Sequence, residues 1–134
     1  MSIIVTDQGF QAAAERVITP LSEISAETTA VDLSNTDDPN ALAPYLAGLE
    51  LVRVAFPAFN DGRAFTIARR LRMMGYQGQL LAFGHVIADQ YAMCRRVGFD
   101  GVEISEEIAE RQPEDQWRYR ADWRAHDYQS RLRA

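Results

Sequence analysis

The residues best suited to do chemistry fall in two short stretches, each directly after an apolar run. FPAFNDGRAF carries Asn60, Asp61 and Arg63, and AFGHVIADQ carries Gly84, His85, Asp89 and Gln90. In the first, Asp61-Gly62-Arg63 leads from a strand end into a helix. The free amides of a helix start, joined by the forked guanidinium of Arg63, would welcome a small anion. Asp61 and His85 are the candidate acid–base residues, since a histidine here titrates near neutral pH. Each also has a purely structural reading. Asp61 can cap the helix, Arg63 can pair with a carboxylate such as Asp89, and His85 can cap the helix that follows it. His85 and Asp89 are spaced to meet along one helix face, and Gln90 is either a satisfied buried amide or a group turned towards a pocket. The residues around His85 match none of the helical ligand patterns of known metal sites, so no metal site is expected. Asp32 ends an earlier apolar run and could join the same crevice. Cys94, mid-helix on an apolar stripe, reads as a buried structural thiol.

The elements that must position these residues alternate in type. TAVDL (Thr29–Leu33), LVRVAF (Leu51–Phe56), QLLAF (Gln79–Phe83) and GVEI (Gly101–Ile104) read as strands, separated by helix-length stretches. Asp38 before Pro39 marks one helix start, with Leu42, Tyr45, Leu46 and Leu49 as its stripe and Pro44 near its first turns. Ala64, Ile67, Ala68, Leu71 and Met74 line a second helix. Val86, Ile87, Met93, Cys94 and Val97 line a third, closed by Gly98 as a left-handed cap. Phe10, Ala13, Ala14, Val17 and Ile18 recur at helical spacing, so a helix is expected over 8–18, ending before Pro20. Pro113 opens a last helix in an aromatic-rich tail over 112–134, which holds Trp117, Tyr119, Trp123 and Tyr128.

This grammar predicts an α/β fold: one domain over 1–134, with a small parallel sheet of four or five strands, helical crossovers and helices on both faces. A flavodoxin-like arrangement and half-barrel-like βα repeats both satisfy it. In such sheets ligands bind beyond the carboxyl ends of the strands, where the two polar stretches fall.

Composition excludes several alternatives. All fourteen basic residues are arginine, which removes a lysine Schiff base, a P-loop lysine and a lysine general base. A net charge of −5 argues against nucleic-acid binding. The acidity is concentrated in residues 1–50, where Arg16 is the only base, while the tail over 111–134 is mildly basic. No apolar stretch is long enough for a membrane span and the N-terminus lacks the pattern of a signal peptide, so a cytoplasmic protein is expected. One cysteine supports neither a disulfide nor an iron–sulfur cluster, and no dinucleotide-binding glycine fingerprint is present. No cofactor is expected.

The stretch from Val54 to Glu103 resembles a bacterial family catalogued as domain of unknown function nine-three-four. The resemblance is carried by Phe56-Pro57, Phe59, Asp61-Gly62-Arg63, Phe65, Ala68, Leu71-Arg72, Gly75-Tyr76, Gly78, Leu80, Gly84, Val86, Asp89-Gln90, Arg96 and Gly98-Phe99-Asp100. Members often bear an oxidoreductase label, and their genes tend to lie beside those for assimilatory sulfite reductase. The resemblance therefore implies an accessory role in sulfite reduction, with sulfite reductase as partner, assisting electron delivery or assembly. The competing readings are a small enzyme acting on an anionic substrate at the Asp61/Arg63/His85 crevice and a non-catalytic regulatory binding module. This chain departs from the family at Gln79, where glutamate is usual, at Thr66, where serine is common, and at His85, where aspartate is usual. The last change falls at a strand end, where a ligand group would sit.

Overall fold

The computed structural model describes residues 2–13, 16–58 and 62–121. Its frame is a seven-stranded sheet: β1 (Ser2–Thr6), β2 (Gly9–Ala12), β3 (Thr19–Pro20), β4 (Ala30–Leu33), β5 (Leu51–Phe56), β6 (Gln79–Gly84) and β7 (Gly101–Ser105). The four strands read from the sequence are these last four. They lie side by side in chain order, all parallel, with Val31 opposite Val52, Val52 opposite Leu80, and Ala82 opposite Val102. Each is joined to the next by a helical crossover: a 3-10 helix over Pro39–Gly48, then α1 (Arg63–Met73), then a 3-10 turn running into α2 (Tyr91–Val97). α3 (Glu106–Arg111) and α4 (Glu114–Arg120) complete the described chain.

Three expectations are corrected. The sheet is larger than four or five strands and is not wholly parallel, because an N-terminal hairpin adds β1 and β2. β1 pairs antiparallel with β7, and β3 adds a short parallel edge beside β4. The helix expected over 8–18 is partly strand β2, because Phe10 and Gln11 are drawn into pairing with Val5 and Ile4. Helical spacing of apolar residues is outweighed there by backbone bonds to a strand already in the sheet. Finally, the described helices do not cover both faces. Strands that step in one direction through right-handed crossovers place every crossover on one side. The order β4-β5-β6-β7 lacks the reversal of a doubly wound sheet and is that of the half-barrel alternative.

Side-chain burial records the asymmetry. Val31, Leu33, Val52, Val54, Phe56, Leu80, Ala82, Val102 and Ile104 face one way. They form a single core with Leu42, Leu71, Tyr91, Cys94 and Trp117 from the helical elements. The alternate positions Ala30, Leu51 and Leu81 form a separate small cluster, joined by Ile4 and Ile18 and by no residue of a described helix.

Much of the family-like sequence serves a latch at the amino ends of β6 and β7. Arg72, near the end of α1, donates from Nε to the Gly98 carbonyl (2.9 Å), from Nη1 to the carbonyls of Tyr76 (2.9 Å) and Gly78 (3.0 Å), and from Nη2 to Asp100 (3.0 Å). The same Asp100 carboxylate oxygen accepts from the Leu80 amide at 2.9 Å, and the Tyr76 hydroxyl donates to the Gln79 carbonyl at 2.9 Å. Gly98, the expected cap of α2, has φ +115°, which a side chain rarely tolerates. Only a planar fork reaches this many acceptors at once. We therefore expect Arg72→Lys to lower the unfolding free energy by about 2 kcal/mol. Arg70→Lys, which alters only an exposed contact to Asn40, should cost under about 0.5 kcal/mol. Urea titration of both variants is the check.

Candidate functional site at the carboxyl ends of the strands

On the face away from the described helices, one strand-borne arginine organises the surface. Arg53 lies in the middle of β5, opposite Asp32 of β4. Its Nε and Nη2 donate to the two oxygens of Asp32 at 2.6 and 2.7 Å, and its Nη1 donates to Glu103 of β7 at 2.7 Å, reaching past β6. Phe83 of β6 supplies the surface in between: the guanidinium carbon stands 4.3 Å from its ring centroid. The side chains of Arg53, Asp32 and Glu103 are 14%, 27% and 10% exposed. Burial pulls the arginine's pKa down, but the hydrogen bonds and charges of Asp32 and Glu103 outweigh it, so the cation is held more firmly than in water.

Two clefts open on either side of Phe83. The larger, about 530 Å³, is lined by Pro20, Leu21, Asp32, Ser34, Asp37 and Phe83 among others. The smaller, about 220 Å³, is lined by Ser2, Phe83, Gly84, His85, Glu103, Ile104, Ser105 and Ile108. Gly84 permits the second. Its φ is +110°, and a β-carbon there would stand 2.8 Å from the Phe56 carbonyl oxygen. The chain crosses β5 at close quarters, with the His85 amide donating to that same carbonyl at 2.9 Å. His85 is thereby delivered, exposed, to the cleft rim.

The residues read from the sequence are only partly gathered here. Gly84 and His85 line the smaller cleft, and Asp32 lines the larger. Asn60 and Asp61 lie outside the described residues. Arg63 is the first residue of α1 and exposed, and it lines neither of these two clefts. Asp89 pairs with Arg120 at 2.9 Å, so it serves neither Arg63 nor His85. Gln90 accepts the Ile87 amide at 3.0 Å and holds its own turn. Within the aromatic tail, Trp117 of α4 is buried in the core and donates to the Gln112 carbonyl, and Tyr119 is exposed. Trp123 and Tyr128 lie outside the described residues. Cys94 is buried, and desolvation pushes its thiol up to about 12. Arg53, Phe83 and Glu103 were not singled out as site residues. The signal for the two charged ones is that β4, β5 and β7 each carry a lone charge, Asp32, Arg53 and Glu103, at positions of matching parity; nothing in the sequence marks Phe83.

The fold and this surface define a small α/β protein with its described helices on one side of the sheet and carboxylates on the other. Comparison with known proteins gives the family. The model for a bacterial protein of unknown function, DUF934, matches residues 30–134, and the chain belongs to that family. The matched span begins at β4 and leaves out the N-terminal hairpin. No curated protein and no solved structure matches the chain. Among the described residues, no helix is long and apolar enough to cross a membrane, and no group of three or more His, Cys, Asp or Glu side chains is placed to hold a metal ion.

Two outcomes are expected. Arg53→Leu leaves two poorly solvated carboxylates without their cation and should destabilise the protein by about 3–5 kcal/mol at pH 7, measured by urea unfolding. Burial also raises Tyr76 to about 12, against an ordinary 10.0, and Cys94 to about 12 from 9.0. Both groups ionise more readily once unfolded. The stability tied to their neutral forms is complete below about pH 9 and is lost as pH climbs towards about 12. Unfolding midpoints should therefore fall across that range. Tyr76→Phe should be less stable at neutral pH, having lost the bond to Gln79, yet fall less steeply in alkali.

Proposed function

We propose that this chain is an accessory protein of assimilatory sulfite reduction, acting in the cytoplasm beside sulfite reductase and assisting electron delivery or assembly. Membership of a family whose genes tend to neighbour those for that enzyme supports the pathway. The observation that carries the accessory role is the charge of the two clefts. Asp32, Asp37 and Glu103 line them, and the arginine between them, Arg53, is bound to two of these carboxylates. Sulfite is an anion, and like charge at a poorly solvated surface repels it. Sulfite chemistry then belongs to the partner enzyme. The experiment is twofold: capture of sulfite reductase from lysate by the tagged chain, and growth of a deletion strain on sulfate against cysteine. Retention of sulfite reductase together with cysteine-rescued growth is the expected result. Full growth of the deletion strain on sulfate would overturn the reading.

A second reading places a small anionic substrate between Asp61, Arg63 and His85. The exposed position of Arg63 at the first residue of α1, with His85 exposed beyond the next strand, favours it. If it holds, Arg63→Ala leaves the melting temperature nearly unchanged and abolishes growth on sulfate. In the accessory reading without an anion site, the same variant grows as the parent does.

A further inference from the structure

We propose that the smaller cleft is a subsite for a positively charged N–H donor, a guanidinium or primary ammonium group, seated on Glu103. Asp32 alone matches Arg53: its two oxygens take Nε and Nη2 in the paired geometry that a carboxylate and a guanidinium favour. Glu103 is a second anion on the same cation, so the three side chains carry a net charge of −1 where water has little access. Its Oε2 takes the Arg53 Nη1, and its Oε1 receives no hydrogen bond from any described residue. Among the described residues no buried side-chain oxygen or nitrogen lacks a partner, so Oε1 is reached from outside, and the cleft that Glu103 lines is the way in. A carboxylate nine-tenths buried with one open oxygen is costly unless a donor, and best a cation, completes it.

The walls suit such a group. Phe83 and Ile108 are apolar enough to flank the stem of an alkyl guanidine or amine, and Ser2 and Ser105 bring hydroxyl oxygens to the same space. The Ser105 hydroxyl already accepts the Ile108 amide at 3.2 Å as the cap of α3, which fixes its place at the rim. A volume of about 220 Å³ admits a single guanidinium head with a short stem. This subsite is independent of any part in sulfite reduction, because its test uses the isolated full-length protein.

The test is a titration of ¹⁵N-labelled protein at low salt with methylguanidinium chloride and methylammonium chloride. Tetramethylammonium chloride serves as a cation that cannot donate. Saturable shifts of the Gly84, His85 and Ser105 amides with the two donors, absent with tetramethylammonium, are expected. Glu103→Gln keeps the shape and an acceptor for Arg53 but loses the charge, and should weaken binding about tenfold. An acetyl-Gly-Arg-Gly-amide arm separates sources: binding there shows a cleft open to a side chain of another protein, and binding by methylguanidinium alone points to a free small guanidine. Non-saturating shifts scattered over the acidic surface would overturn the proposal. So would equal shifts from tetramethylammonium, a wild-type reading that stands even if Glu103→Gln fails to fold.

Discussion

A guanidinium placed on the sheet face away from the described helices is the constraint around which the rest is arranged. Arg53 binds side chains of β4 and β7 from its seat on β5, and so ties together the four parallel strands from β4 to β7. Taking such a group out of water is unfavourable unless every strong donor direction is met. Asp32, Glu103 and the Phe83 ring meet them together. Because the three charged residues sit at positions of the same parity, slipping any one strand by a single residue would turn its charge into the apolar core. The network thus defines register on the side where no described helix packs. The packed side, with Val54, Phe56, Leu71 and Tyr91 in its core, supplies most of the apolar burial.

The opposite end of the sheet is held by a different logic. Arg72, Asp100 and Tyr76 join the end of α1 to the starts of β6 and β7. Most contacts of Arg72 are to backbone carbonyls, so the latch depends on chain path more than on neighbouring side chains. Many residues of the family-like stretch belong to this latch and to its glycine-cornered turns. Their combination identifies the architecture well and the chemistry poorly. Such a division, with stability at the amino ends and accessible polar groups at the carboxyl ends, is common among parallel sheets.

Legibility of the fold followed the strength of local signals. Leu51–Phe56 could be read to the residue because an apolar run stands between Glu50 and Pro57. Asp38, Pro39 and Gly98 act as punctuation through backbone geometry that few other residues satisfy, though the stretch after Pro39 closes as a 3-10 helix with Pro44 inside it. The N-terminal hairpin was not legible. Gly9–Ala12 is strand only because β1 lies beside it, and β1 is placed only because β7, about a hundred residues later, offers an edge. The half of the site at Gly84 and His85 could be read from its position after a strand. Arg53 and Glu103 could not, because their partnership requires knowing that β5 and β7 lie two strands apart in one sheet with these positions on the face away from the described helices.

The pairing of β1 with β7 also bears on how the chain is made. Ser2 ends up opposite Ser105, so β1 must wait for a strand made about a hundred residues later before it has a neighbour beyond its own hairpin. The units from β4 to β7 face no such delay, since each can dock on the one before it as it emerges. Assembly therefore runs from the interior of the chain towards β7. The amino-terminal hairpin closes the sheet late, at the entropic cost of a long loop. Until then the edge of β7 is an open template for another strand, so the docking of the hairpin also protects the parallel strands from pairing with another chain.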